Sequence, residues 1–168
     1  MNYHTSIDFD ATKNNTNKLL NEYRRLNIDR HKLKLVSNLS AIQYDGMPKS
    51  QSNRNSTEEA LINDLNDIEE ERKSIEFKIA LIDKTLVEMT RIDEYTAKLA
   101  KLLTLRYIDR FSVTKCCFEL SEAFNSAMEP MNGLPMSRNK FYDKRDEALL
   151  IFAEVYPKKS DLIEYQKQ

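Results

Sequence analysis

The sequence predicts an all-α protein in which a long antiparallel helical coiled-coil hairpin precedes a small helical domain. Three observations favour this fold class. The 168 residues include only two glycines and four prolines but 32% charged residues, which is typical of a mainly helical chain. Neither glycine nor proline occurs between Thr57 and Glu129. At the start of that stretch, apolar residues recur at alternating steps of four and three, the spacing of a coiled-coil seam.

The seam organises the stretch from Ser56 to about Tyr95, for which we predict one helix. Ser56 followed by Glu59 matches a capping box, in which a hydroxyl and a carboxylate satisfy exposed backbone amides at a helix start. At about 1.5 Å per residue, such a helix would be roughly 60 Å long. Arg72 interrupts the stripe, which otherwise consists of Leu61, Leu65, Ile68, Ile75, Ile79, Ile82, Leu86 and Met89.

A second, less regular apolar stripe covers residues 18–42. Residues 44–56 follow it and hold a glycine, a proline and several Ser and Asn residues, a composition typical of a loop. Two helices joined by such a loop predict a coiled-coil hairpin over residues 18–96. The stripe drifts around the helix and consists of Leu19, Tyr23, Leu26, Leu33, Val36, Leu39 and Ile42, with Arg30 in the seam.

Charge patterning supports the hairpin. Residues 24–34 are rich in Arg and Lys, whereas residues 67–76 are rich in Asp and Glu. Folding the chain about residue 50 sets these stretches opposite one another, so we expect ion pairs across the seam. The same register could form between two chains, and the basic stretch could instead be a surface for another protein. Both alternatives stay open at this point.

The two ends of the chain are polar. Residues 1–17 carry little that could form a core, so we expect a flexible N-terminal segment, and we expect residues 158–168 to be a flexible tail. The sequence shows neither a signal peptide nor an apolar run of membrane-spanning length, which predicts a cytoplasmic protein. Cys116 and Cys117 are adjacent, and neighbouring cysteines rarely bridge, so we expect buried thiols.

Residues 97–157 predict a small three-helix domain. Its first helix has densely spaced leucines from Leu99 onward, and Ser112 is placed to cap the second helix. A loop rich in proline and glycine then leads to Ser137, which is placed to cap a final helix that ends near Tyr156.

The final helix carries the residues that point to function. Its first turns are rich in polar and basic side chains, and its apolar residues share one face of the helix, as in the last helix of a helix-turn-helix DNA-binding domain. Arg and Asn side chains suit base edges, and basic residues on the preceding elements suit phosphates. The candidate residues for binding double-stranded DNA are Ser137, Arg138, Asn139, Lys140, Tyr142, Lys144, Arg106, Arg110 and Lys115.

Two sequence patterns resemble known families. Leu103-x-Leu105-Arg106-Tyr107, a cap at Ser112 and Ser137-Arg138-x-x-Phe141 resemble the C-terminal helix-turn-helix of bacterial sigma factors. More narrowly, the run YDGMP at 44–48 and the run DEALLIFAEVY at 146–156 resemble the ArpU-type phage transcriptional regulators. That resemblance implies an activator of late phage genes in a bacterial host cell, with promoter DNA as target.

Further expectations follow from the same resemblance. Host RNA polymerase and a second copy bound through the coiled coil are the candidate protein partners. The 25 positions between Ser112 and Ser137 are about twice the usual separation, so residues 121–136 form an insertion in the sigma-like pattern.

Two other functional classes remain open. One is a structural or adaptor coiled-coil protein that binds a protein partner, and the other is a DNA-packaging recognition subunit. We expect no enzyme, cofactor or metal site, because His4 and His31 lie apart in polar segments and the sequence has neither a glycine-rich phosphate loop nor a metal-ligand cluster.

Overall fold

The computed structural model describes the backbone of residues 6–45, 56–124 and 134–166, and within these the side chains of residues 6–38, 63–124 and 134–166. The described backbone is helical apart from turns and a single bridge between Ile7 and Tyr165, which confirms the all-α class for this part of the chain. The elements are α1 (Phe9–Asp45), α2 (Ser56–Ile92), α3 (Glu94–Leu103), a π-helical turn (Thr104–Ile108), α4 (Val113–Glu119), α5 (Ser121–Phe124), α6 (Arg138–Val155) and a 3-10 turn (Lys159–Asp161).

The chain divides into two compact units. The middle unit is Arg24–Ala80, and the terminal unit combines Met1–Tyr23 with Leu81–Gln168. Helices α1 and α2 each contribute to both units. No helix in the described ranges is long and apolar enough to cross a lipid bilayer.

Helix α2 buries the face that its apolar spacing predicts. In the middle unit Leu65, Ile68 and Ile75 are half-buried, and so is Arg72 within the same stripe. Ile79 is buried there, and the remaining seam positions, which belong to the terminal unit, are also buried: Ile82, Leu86 and Met89. The side chains of Ser56, Glu59 and Leu61 lie outside the described residues, although α2 does begin at Ser56.

Helix α2 ends at Ile92, before the predicted end near Tyr95. Asp93 has an extended backbone with φ −161°, and its carboxylate caps α3. One oxygen accepts the Thr96 N–H at 2.7 Å and the other accepts the Thr96 hydroxyl at 2.9 Å. These donations from Thr96 lower the pKa of Asp93 below its usual value. A capping carboxylate therefore starts a new helix where neither glycine nor proline interrupts the chain.

The described parts of the two ends, residues 6–17 and 158–166, pack on each other, contrary to the expectation that residues 1–17 and 158–168 are flexible; residues 1–5 and 167–168 lie outside the described residues. Helix α1 begins at Phe9, and Thr12 and Leu162 are buried. The Thr12 hydroxyl accepts the Glu164 N–H at 3.1 Å, and the Asp8 N–H donates to the Glu164 carbonyl at 2.8 Å. Polar residues thus make contacts between the ends of the chain that composition does not reveal.

The half-buried side of α1 in the middle unit differs from the predicted stripe. Leu26, Arg30 and Leu33 are half-buried as expected, but Ser37 follows them in place of Val36, which is 44% exposed. The half-buried positions from Leu26 to Ser37 keep the alternating heptad steps, so the drift of the stripe around the helix that the sequence predicts does not occur here. The side chains of Leu39 and Ile42 lie outside the described residues.

The predicted ion pairs across the seam do not occur among the described side chains. The ion pairs of the middle unit join residues three or four positions apart on one helix: Arg25–Asp29, Lys32–Asp29, Arg72–Glu69 and Lys73–Glu69. Residues 46–55, the core of the predicted hairpin loop, lie outside the described residues. The coiled-coil hairpin stays a prediction.

The small helical domain lies within the terminal unit. Helices α3 and α4 both pack on α6. Their buried side chains form one core: Leu99, Leu102, Leu103, Cys116, Cys117, Leu120, Phe141, Leu149 and Phe152. Both predicted caps, Ser112 and Ser137, are confirmed, because each serine hydroxyl accepts a backbone N–H three residues later. The final helix ends as predicted, with Tyr156 at its C-cap.

Candidate nucleic-acid interface

The first turns of α4 and α6 lie side by side. The Ser112 hydroxyl accepts the Lys115 N–H at 3.2 Å, and the Ser137 hydroxyl accepts the Lys140 N–H at 3.2 Å. Arg138 Nη2 donates to the Thr114 hydroxyl at 3.3 Å, which joins the two capped ends. Two helix N-termini, each with a partial positive charge, thus meet at one edge of the domain.

The segment that precedes α6 is fixed on α4. The Met136 N–H donates to the Cys117 carbonyl at 3.0 Å, and the Met136 side chain is buried. The predicted insertion at 121–136 begins with α5 and returns to α4 at Met136, while residues 125–133 lie outside the described residues. The long separation in sequence is therefore compatible with neighbouring helix starts.

A tight turn precedes α4. Arg106 Nη1 donates to the Phe111 carbonyl at 3.0 Å, and the Phe111 N–H donates to the Leu105 carbonyl at 2.9 Å. Within this turn Arg110 has φ 61°, a left-handed backbone conformation that is unfavourable for a residue with a β-carbon. The turn leaves the Arg110 side chain exposed beside the α4 N-terminus, whereas Arg106 holds the turn itself.

The predicted site residues fall into two groups. Ser137, Arg138 and Asn139 are exposed at the start of α6, and Arg110 and Lys115 are exposed at the start of α4. These five lie at the joined helix ends. One of these five residues, Lys115, has its Nζ 3.5 Å from the centroid of the Phe111 ring, which limits its conformations.

The remaining predicted residues are placed differently. Lys140 is half-buried, and Tyr142 is exposed with its ring 4.9 Å from the Arg145 guanidinium carbon. Tyr142 also makes an edge-to-face contact with the Phe141 ring, with 5.6 Å between the ring centroids.

Lys144 belongs to a separate cluster on α3 and α6. Its ammonium donates to Glu147 Oε2 at 3.0 Å and to the Tyr95 hydroxyl, which in turn donates to the same carboxylate oxygen at 2.7 Å. Burial alone would raise the pKa of Glu147, but the hydrogen bonds from Tyr95 and Lys144 outweigh it and lower that pKa. Lys144 thus ties two helices together.

A polar cleft of about 340 Å³ lies elsewhere in the terminal unit, and sequence reasoning missed it because residues 1–17 were predicted to be flexible. Asp146 accepts from Arg145 at 2.6 Å and forms an ion pair with Lys13 at 3.5 Å. Two cations and two carboxylates therefore offset each other in this cleft. Its lining residues are Asp10, Lys13, Asn14, Asn17, Arg145, Asp146 and Leu149.

The cysteines are buried in the domain core. Both thiols are unbridged, and burial raises the pKa of Cys116 and of Cys117. Raised pKa values keep the thiols protonated and poorly nucleophilic. Within the described ranges, no group of three His, Cys, Asp or Glu side chains is arranged to hold a metal ion.

Comparison with known proteins adds no relative. No protein-family model matches the chain, and neither a curated protein nor a solved structure matches it.

Proposed function

We propose that this protein is a sequence-specific DNA-binding regulator of transcription that reads double-stranded DNA with the joined N-terminal ends of α4 and α6. One observation carries the proposal: the hydrogen bond from Arg138 to Thr114 brings two serine-capped helix starts together. In helix-turn-helix proteins the last helix enters the major groove with its N-terminal residues, while the preceding helix meets the phosphate backbone. The α6 and α4 starts would take those two positions.

The exposed side chains divide between base edges and phosphates. Arg138 uses one nitrogen toward Thr114, which leaves further guanidinium donors for a guanine edge. Asn139 is exposed beside it and has the paired donor and acceptor that suit adenine. Arg110 and Lys115 precede and begin α4, where cations would meet phosphates and fix the position of the domain on the duplex.

The buried core holds α6, the proposed DNA-contacting helix, in a fixed orientation. Phe141 and Phe152 of α6 are fully buried, so the apolar side of this helix is held by the domain. Because its apolar face is packed against the domain core, α6 can present Arg138 and Asn139 in one orientation, which sequence-specific contacts require. The interaction of Lys144 with Tyr95 and Glu147 adds a second tie between α6 and α3.

The resemblance to sigma-like and ArpU-type regulators suggests where the DNA target would lie. Under that hypothesis the protein acts in a bacterial host cell on promoters of phage late genes, in contact with host RNA polymerase. A protein-binding adaptor is the second candidate, and the exposed aliphatic residues Ile28 and Leu35 on α1 favour it. An adaptor would bind DNA weakly and equally at all sequences.

A titration separates these two functions. Labelled fragments of the surrounding genome are titrated with the full chain at two salt concentrations, and the tightest fragment is kept. We expect one fragment to bind at least about 1000-fold more tightly than competitor DNA, the usual margin of specific binding. Weak binding that is equal for all fragments would contradict a sequence-specific reader.

Variants then test whether the joined ends of α4 and α6 contact DNA. Replacing Arg138 with Ala should weaken binding to the selected fragment about ten- to hundredfold, because a bidentate base contact is worth about 1–3 kcal/mol. Lys115→Ala should weaken all fragments alike and reduce the salt slope by about one. Lys159→Ala, an exposed lysine of the 3-10 turn, is the matched control and should bind as the unmodified protein does.

A further inference from the structure

Arg138 is held in place at three points. Its backbone begins α6 directly after the N-cap Ser137. Two residues earlier, the Met136 N–H donates to the Cys117 carbonyl at 3.0 Å, which fixes the chain on α4. The Arg138 side chain then reaches back to α4, where Nη2 donates to the Thr114 hydroxyl at 3.3 Å. Both the backbone and the guanidinium of this residue are therefore anchored.

The Arg138 side chain lies along one face of α4. Thr114 and Cys117 are three positions apart in this helix, so their side chains share a face. Burial raises the pKa of Cys117, and the positive charge of Arg138 acts on that pKa in the opposite direction. Such an electrostatic effect weakens with distance, which indicates that the guanidinium is close to Cys117 as well as to Thr114. The contact with Thr114 is thus part of a longer packing of Arg138 against α4.

An exposed arginine at the same edge of the domain offers a comparison. Arg110 precedes α4, and its side chain makes neither a hydrogen bond nor an ion pair with the residues that the structure describes. A free arginine side chain loses rotational freedom when it binds, and this loss weakens binding. Arg138 has given up part of that freedom in the hydrogen bond to Thr114 before DNA is present. Of these two arginines, Arg138 therefore needs less ordering to bind a base edge.

We propose that Thr114 is a positioning residue that holds Arg138 ready to read a guanine, a role that rests on the DNA-binding function proposed above. A guanidinium has five N–H donors, so one N–H of Nη2 can stay on Thr114 while two others bind the O6 and N7 acceptors of guanine. Thr114 acts through Arg138 alone. It lowers the cost of ordering at the base pair that Arg138 meets and has no effect at the other base pairs.

The first measurement needs no DNA. Nuclear magnetic relaxation of the arginine Nε–H groups, in isotopically labelled full chain, reports how ordered each side chain is on the fast timescale. Arg138 should be more ordered than Arg110, and Thr114→Val, which removes the hydroxyl, should lower the order of Arg138 to that of Arg110. Thr114→Ser keeps the hydroxyl and should keep the order. An Arg138 side chain that is equally mobile in all three proteins would overturn the positioning role.

Single base-pair substitutions in the selected fragment then test specificity. Replacing the guanine that Arg138 reads should weaken binding of the unmodified protein about ten- to hundredfold, and Arg138→Ala should remove that discrimination. Thr114→Val should reduce it about three- to tenfold, the usual effect of ordering one long side chain, and should leave the other base pairs unchanged. Thr114→Ser should discriminate as the unmodified protein does. Adding Thr114→Val to Arg138→Ala should change nothing further, because the two residues act as one unit.

The outcomes separate the positioning role from the proposed function. A protein that selects no fragment lacks the function, and the guanine-reading role of Thr114 falls with it even where Arg138 is ordered. A protein that selects a fragment keeps the function, but equal weakening at every base pair by Thr114→Val would contradict positioning, since Thr114 would then contact a phosphate directly. Full discrimination by Thr114→Val would contradict positioning as well. Far-UV circular dichroism and thermal unfolding check that the variants keep the fold.

Discussion

The two units of this chain hold their helices in opposite ways. In the middle unit the apolar spacing is regular, yet most of the stripe is only half-buried and the described ion pairs are local. In the terminal unit the same α2 seam continues and is buried at Ile82, Leu86 and Met89. The rest of that unit has irregular apolar spacing, yet Phe141, Phe152 and Leu20 are fully buried and the chain ends bind each other. A regular pattern therefore predicts which side of a helix is covered but leaves open how deeply. Depth of burial depends on contacts between residues far apart in sequence.

The largest expected effect is the loss of unfolding free energy when a core side chain is shortened, which should be greater in the terminal unit than in the middle unit. Replacing Phe152 with Ala should lower the free energy of unfolding by about 3–5 kcal/mol, since it removes a fully buried ring and leaves a cavity. Leu65→Ala, at a half-buried position of the middle unit, should cost about 1 kcal/mol. Urea unfolding followed by circular dichroism measures both. Equal costs would contradict the difference in packing.

The next effect tests the packed chain ends. Leu162→Ala should cost about 2–3 kcal/mol, because Leu162 is buried although it lies in a polar tail. Leu134→Ala is the matched control, since Leu134 is 49% exposed, and it should change stability by less than about 0.5 kcal/mol. Urea unfolding again measures the two costs, and a neutral Leu162→Ala would mean that the tail does not stabilise the fold.

The helix start at Asp93 gives a smaller effect. Asp93→Ala removes the acceptor for two donors of Thr96 and should lower the midpoint of thermal unfolding, because α3 loses its N-cap. Asp93→Asn keeps a capping oxygen and should restore most of that stability. The midpoint of thermal unfolding reports both variants. Equal losses for Ala and Asn would remove capping as the cause.

The smallest effect is the pH dependence of the cluster around Glu147. Its pKa is lower in the folded protein than the usual 4.5, so the cluster stabilises the fold at neutral pH and loses that contribution as the pH falls through the lowered pKa. Tyr95→Phe should cost about 0.5 kcal/mol near pH 7, a value reduced by solvent exposure, and less below pH 4.5. Unfolding at several pH values measures this, and a cost that grows on acidification would contradict the assignment.

Local signals predicted the helix starts well. Ser112 and Ser137 cap helices because a serine hydroxyl acts on an amide three residues away, a contact that depends on neighbouring residues alone. Asp93 caps a helix in the same way, but it lies inside the stretch from Ser56 to about Tyr95, for which the sequence predicts one unbroken helix. The Asp93-x-x-Thr96 spacing was the signal that could have located it.

Contacts between distant residues were beyond local signals. Thr12 and Glu164 are joined by a hydrogen bond although 152 positions separate them. The hydrogen bond from Arg138 to Thr114 likewise depends on how α6 packs against α4. Lys144 is also a basic residue near the start of α6, but it binds Glu147 instead and does not belong to the interface. Residue type therefore predicted a basic helix start, while packing decides which of its side chains remain exposed.

The central claim is that the joined ends of α4 and α6 contact DNA. Its most direct test is to record backbone amide chemical shifts of the isotopically labelled full chain while the selected DNA fragment is added. The largest changes should fall on Lys115, Arg138 and Asn139, with the amides of residues 24–80 changing little. Changes confined to residues 24–80, with these three amides unmoved, would contradict the claim.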